Sequence, residues 1–212
     1  MNTCVYFLVK VFTNIQFMSE KNKILALAHK KNGLVTAKDA ALLGIPGRAL
    51  FDCVKDGMLL RDERGVYMVP DQFSDEFFIA QYKYSKGVFA FNTALYLWGL
   101  SDRTPLQLEM TFPKGYNVTA AKKFGIACKI LVQNKYDLEI TTAKTPAGNK
   151  VRIYGIERTL CDMIKYKADP ELFLNAIKAY VARVDKNLNK LFLIASTLGV
   201  QDKIRPYVEA LL

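Results

Sequence analysis

Apolar positions along this chain recur first with a helical period and later with a period of two, and the change divides the sequence. Between Lys21 and Lys31, Ile24, Leu25, Leu27 and Ala28 fall on one helical face. The stretch GLVTAKDAALLGIPGRALFDCVKDGMLLRDERGVYMV, residues 33–69, then carries two short helical patterns and a hairpin. Thr36 has the hydroxyl an N-cap needs, with Asp39 three residues on where a capping box wants an acid. Ala40 to Leu43 continue that helix, and Gly44 suits a left-handed end. Pro46 fits the start of the next helix, predicted over Gly47–Asp56 with Leu50 and Val54 on one face and Gly57 closing it. Leu59-Leu60 and Val66–Val69 read as strands around a polar turn, Arg61 to Gly65. Helix, tight turn, helix and basic hairpin describe a winged helix-turn-helix, with the second helix in the DNA major groove and the hairpin on backbone or minor groove.

After a linker at Pro70-Asp71-Gln72 the spacing predicts a helix over Phe73–Tyr84, a strand over Gly87–Phe91, and a helix over Ala94–Trp98 capped by Asn92 or Thr93. Strands follow at Leu106–Phe112 and Ile126–Val132, then a hairpin of Leu138–Thr145 and Lys150–Tyr154 around a Pro-Ala-Gly-Asn turn. Helices are expected at Glu157–Tyr166, Pro170–Arg183, Leu188–Leu198 and Gln201–Leu211. The predicted class is α+β: an N-terminal winged helix-turn-helix over 18–70, then an α+β domain over 71–212 with a mostly antiparallel sheet and C-terminal helices. Residues 1–17 fit neither domain. Their apolar run Val5–Val9 is broken by Lys10, falls short of the ~20 residues that span a bilayer, and has neither a basic start nor a cleavage site. The sequence from Met18 reads as an ordinary protein start, so 1–17 is either a doubtful extension or an apolar arm.

Composition adds a real core, from 51% hydrophobic residues, and a net charge of +10 that favours polyanionic partners. Charge does not single out one domain: residues 1–70 hold ten basic against six acidic residues, and 71–212 hold twenty against fourteen. Four cysteines at 4, 53, 128 and 161 show no metal spacing and read as buried thiols of a reducing cytoplasm. The single histidine, His29, argues against a histidine zinc site, a Ser-His-Asp triad and a Cys-His dyad.

Candidate DNA contacts are Thr36, Lys38, Arg48, Lys55, Arg61 and Arg64, with Asp52 and Asp56 opposing them on the same second helix. In the second domain the basic turn at Lys114 and Tyr116 lacks the frame of a nucleotide loop, although a basic helix (Lys122, Lys123) follows it. Arg158 and Asp162 stand four apart on one helix and can pair. Lys186 and Lys190 belong to a basic tail. Glu109, Asp137 and Glu139 are the acids a metal nuclease would have to use, but they lack metal-ligand context. No catalytic residue, metal or cofactor is expected.

Three separated motifs behind the winged helix carry a resemblance: residues 91–103 (FNTALYLWGLSDR), 111–117 (TFPKGYN) and 156–162 (IERTLCD). In this order they resemble the AbiEi family, antitoxins of the AbiE abortive-infection systems, classed as type IV toxin–antitoxin. The family pattern often has histidines near the ends of the TALYLxGL segment, where Phe91 and Trp98 stand in this chain. The resemblance implies a cytoplasmic protein of two functions and no enzymatic one. The winged helix represses its own operon by binding inverted repeats in double-stranded promoter DNA, where copies can pair. The second domain counters a nucleotidyltransferase-like toxin without a stable complex; the residues of this chain expected to serve that role, from their charge and position, are Lys114, Tyr116, Arg158, Asp162, Lys186 and Lys190. Two rivals stand beside it: a winged-helix regulator with an effector-binding or dimerisation domain, and a DNA-directed nuclease-like enzyme.

Overall fold

The computed structural model describes residues 19–167 and 169–212, and divides the chain into two units, the first ending at Ile79 and the second running from Ala80 to Leu212. The expectation for residues 1–17 lies outside the described residues. The sequence reading cut the chain at Pro70; in the structure 71–79 groups with the first unit, and helix α4 (Glu76–Lys83) runs through the division.

The first unit contains α1 (Glu20–Lys30), β1 (Leu34–Thr36), α2 (Ala37–Leu42), α3 (Gly47–Lys55), β2 (Leu60–Glu63) and β3 (Val66–Met68). Ser19 caps α1 by accepting the Asn22 N–H at 3.3 Å. The predicted capping box forms: the Thr36 hydroxyl accepts from Asp39 N–H at 3.1 Å, and the Asp39 carboxylate accepts the Thr36 N–H at 3.0 Å. Gly44 takes φ +68° after α2, the left-handed value its position required. Ile24, Ala28, Val35, Leu50, Cys53 and Leu59 make the core, in which α3 packs on α1.

Two details differ from the sequence reading. β1 is an added strand, pairing Leu34 with Met68 and Thr36 with Val66 in an antiparallel sheet of order β1-β3-β2. Its three residues are too few to show alternation, and all are buried. The wing turn is also shorter than the five residues expected. Arg61 lies within β2 opposite Tyr67, a bulge falls between Arg61 and Glu63, and only Arg64 and Gly65, φ +80°, form the tip.

The second unit contains the end of α4, β4 (Val88–Phe89), α5 (Phe91–Leu97), β5 (Glu109–Pro113), α6 (Thr119–Lys123), β6 (Ala127–Leu131), α7 (Gln133–Tyr136), β7 (Ile140–Lys144), β8 (Lys150–Tyr154), α8 (Ile156–Lys165), α9 (Pro170–Val181), α10 (Leu188–Leu198) and α11 (Gln201–Glu209). The fold is α+β, but the sheet, of order β6-β5-β4-β8-β7, is mixed rather than mostly antiparallel. β4–β5 and β7–β8 are antiparallel, whereas β5–β6 and β4–β8 are parallel. Parallel neighbours need a crossover, and α6 with its flanking loops supplies one between β5 and β6. The four C-terminal helices fall where predicted and close a core of Leu160, Ile177, Tyr180, Leu191, Ile194 and Ile204.

Candidate nucleic-acid interface

Helix α3 has two faces. Ala49, Leu50 and Cys53 turn inward. Arg48, Phe51 and Lys55 are exposed at spacings of three and four, which places them on one outward face. Arg61 and Arg64 are exposed on β2 and at the wing tip. None of Arg48, Lys55, Arg61 and Arg64 makes an ion pair among the described residues, so four cationic groups of helix and wing stay available to an anionic partner.

Several acids of the same unit are engaged. Asp56, at the end of α3, is salt-bridged to Lys21 of α1. The hydrogen bond to Asp56, followed by the nearby Asp56 and Asp52 charges, raises the Lys21 pKa. Lys31 pairs with Asp39. Although partial burial opposes it, hydrogen bonds from Lys31 and Thr36 hold the Asp39 carboxyl below its ordinary value. Asp62 accepts the Ser74 hydroxyl at 2.7 Å. Exposed pairs contribute little stability. Their effect here is electrostatic: the Lys21–Asp56 and Lys31–Asp39 pairs each neutralise an acid, and no ion pair among the described residues engages Arg48, Lys55, Arg61 or Arg64. Lys21 and Lys31 are both engaged in this pairing.

Thr36 does not reach this surface. It is 2% exposed, and its hydroxyl is committed to Asp39, so its role is the cap and not a DNA contact. Lys38 is exposed on α2. Phe51 is not on the Leu50–Val54 face that the apolar pattern marks; the helical period places it between Arg48 and Lys55 on the outward side.

In the second unit the residues singled out by sequence are mostly structural. Arg158 is fully buried. Its guanidinium donates to Asp162 Oδ2 at 2.8 Å and to the carbonyls of Lys135 and Leu138 at 2.7 and 3.1 Å, and lies 4.4 Å from the Tyr154 ring centre. Burial raises the Asp162 pKa against the opposing pull of Arg158. Burial also pushes the Tyr154 phenol up to about 12, so it stays protonated, accepting from the Thr111 hydroxyl and donating to the Tyr136 carbonyl, both at 2.9 Å. This network ties α8 to the sheet and α7; a solvent-facing working role for Arg158 and Asp162 is contradicted by their burial.

Lys190 bridges Glu139 at 2.6 Å and Glu157 at 3.4 Å, which raises its pKa, the Glu139 hydrogen bond first. It pins α10 to α8 and to the residue preceding β7, and is not a free basic-tail residue. Lys186 donates to the Arg183 carbonyl at 3.3 Å, while Arg183 forks onto Asp185 at 2.7 and 2.9 Å. Tyr116 stacks on Phe112, ring centres 4.9 Å apart, and Lys114 stands exposed beside it. The three acids weighed for a nuclease are apart in function: Glu109 caps a helix, Asp137 accepts from Gln133, and Glu139 holds Lys190. Among the described residues no group of three or more His, Cys, Asp or Glu is placed to hold a metal ion. Cys53 and Cys161 are buried as expected, Cys128 only half so, and Cys4 lies outside the described residues.

Residues 22–70 match the family model described as "Transcriptional regulator, AbiEi antitoxin". The match lies within the first unit and makes that segment similar to AbiEi transcriptional regulators. The match runs from within α1 to the end of the hairpin, so the surface of Arg48, Lys55, Arg61 and Arg64 lies wholly inside the matched segment. No curated protein matches the chain. Among solved structures, the RV2827C protein from Mycobacterium tuberculosis shares the fold: TM-score 0.52 and 14% identity, over 90% of this chain and 80% of that one. That likeness is one of fold alone. Among the described residues no helix is long and apolar enough to cross a membrane.

Proposed function

We propose that the protein is a cytoplasmic antitoxin of a type IV toxin–antitoxin system for abortive phage infection, and that it represses its own operon. The observation that carries this reading is the charge arrangement of the AbiEi unit: unpaired cations on α3 and the wing, with the acid at the end of α3 held by Lys21. Such a surface suits double-stranded DNA, with helix α3 in the major groove and Arg64 at the backbone or minor groove. One unit is small, and pairing of two copies on promoter inverted repeats gives the affinity it lacks alone. The second unit counters a nucleotidyltransferase-like toxin without a stable complex and without catalysis of its own. Its exposed Lys114 is the sequence-selected residue best placed to act on a partner, since Arg158, Asp162 and Lys190 are held in the fold.

The test is co-expression with the nucleotidyltransferase-like product of a neighbouring gene, beside a promoter reporter. Growth rescue together with reporter repression is expected. Repression without rescue would favour a plain winged-helix regulator.

A further inference from the structure

We propose that Phe51 is a specificity-determining residue of α3, its ring meeting the C5-methyl group of a thymine in the major groove. The inference rests on the DNA-binding reading and says which base that surface prefers. Phe51 is 66% exposed, although the inward face of its own helix is packed by Ala49, Leu50 and Cys53. Single exposed apolar side chains are common on protein surfaces; the position of this one is what matters. It stands three residues after Arg48 and four before Lys55, on the outward face between two cations that have no partner among the described residues. At 1.5 Å per residue, Arg48 and Lys55 are about 10 Å apart along the helix axis, or about three base pairs of duplex. The cations are complementary to phosphate or to guanine acceptors at either end. The ring between them has no polar group to offer. The major groove edge presents one apolar group, the thymine methyl, and phenylalanine is among the side chains that contact it.

The experiment begins by selecting preferred duplexes from a random library with the full chain. Each thymine in the selected site is then replaced singly by deoxyuridine, which removes only the methyl. Affinities are measured for the wild type, Phe51→Ala and Phe51→Leu at one salt concentration. One thymine should stand out, its replacement weakening wild-type binding about fourfold, the value of one buried methyl-sized group. Phe51→Ala should bind thymine and deoxyuridine duplexes equally, and Phe51→Leu should keep part of the preference. Melting curves should superimpose, since Phe51 does not pack in the core. Sequence-selective binding with no thymine sensitive to demethylation, or a sensitivity that persists in Phe51→Ala, overturns the inference and leaves DNA binding standing. A Phe51→Ala protein that loses self-association by light scattering but keeps the methyl preference overturns it in favour of a contact between copies. Failure to select any sequence overturns both the inference and the reading on which it rests.

Discussion

Glu109 on β5 caps helix α5 from outside: its carboxylate accepts the Asn92 N–H at 2.7 Å, while the Thr93 hydroxyl accepts the N–H of Glu109 at 2.9 Å. The two residues that looked like local caps, Asn92 and Thr93, are therefore inside the helix, which starts at Phe91 and has no side-chain cap at Ala90. Phe91 holds φ +50°, an uncommon value for a bulky side chain, with its ring edge-on to Tyr166 at 5.7 Å. Reciprocal bonds between strand and helix fix that corner.

Removing the cap should cost stability. Glu109→Ala should lower stability by about 1 kcal/mol, the usual cost of losing a helix cap, while Glu109→Gln keeps an acceptor for Asn92. The pH dependence separates charge from cap. Burial raises the Glu109 pKa above its ordinary 4.5. The native state therefore holds this proton more tightly than the unfolded chain. Its contribution is fully present below the unfolded value and is lost as pH rises through the raised folded value. Glu109→Gln should flatten that part of the stability-against-pH curve, read by denaturant melts from pH 4 to 7.

Arg158 is the group whose loss should hurt the second unit most. Arg158→Ala leaves Asp162 as a buried charge without its cation, and strips donors from the Lys135 and Leu138 carbonyls. A cost of about 3–5 kcal/mol is expected for a broken buried pair. Arg158→Lys should recover little of it, because an ammonium cannot reproduce the planar fork. Replacing both partners by Met and Leu should recover most of it. A single Arg158→Ala protein that melts like the wild type would show that the pair holds nothing together.

Legibility tracked the range of the interactions. The helix-turn-helix was readable because its signals are local: Thr36 with Asp39, then Gly44 with Pro46, then Gly57. β1 was not, since its partner Met68 is 34 residues beyond Leu34 and three buried residues carry no period. The cap at Glu109 is 17 residues from Asn92, and nothing near Asn92 announces it. Of the two acids that α3 sets against DNA, Asp56 is paired with Lys21, 35 residues away, and nothing near Asp56 announces that partner. Spacing showed that Arg158 and Asp162 could pair, but not that the pair is buried, which depends on α7 and β8 closing over it.

The surface of α3 and the wing should respond differently at its two ends. Arg48 lies in the first turn of α3, the end that meets base edges in this motif. Arg48→Ala should relax sequence preference at a cost of ~1–3 kcal/mol if its contact is bidentate. Arg64→Ala, at the wing tip, should weaken binding to all sequences alike and reduce the salt slope by about one unit. Gel-shift titrations at several salt concentrations measure both. Unchanged binding in both variants would remove helix and wing from the interface.

The two functions should separate, and α4 decides where to cut. Its last turn serves the second unit: Gln81 donates to the Gly87 carbonyl at 3.1 Å and accepts the Arg152 N–H at 2.8 Å, while the Tyr84 hydroxyl donates to the Ala120 carbonyl at 2.9 Å. Its start depends on Asp75, whose carboxylate accepts the Phe78 N–H at 3.0 Å. A fragment of residues 71–212 keeps that cap, whereas one beginning at Ala80 leaves Gln81 and Tyr84 on a frayed end. The longer fragment should therefore be the more stable, by about 1 kcal/mol for the cap alone. It should also protect cells from the toxin while losing operator binding. Charge reversal then sorts the basic tail. Lys190→Glu sets a third carboxylate against Glu139 and Glu157, so it should lower the melting temperature and rescue together. Lys186→Glu breaks only a bond to the Arg183 carbonyl, and should lower rescue without changing the melt if that face acts on the toxin pathway. Colony survival under toxin induction, run beside a promoter reporter and thermal melts, reads all of these. Rescue that depends on Arg48 would show that repression is the protective act and that the two functions are one.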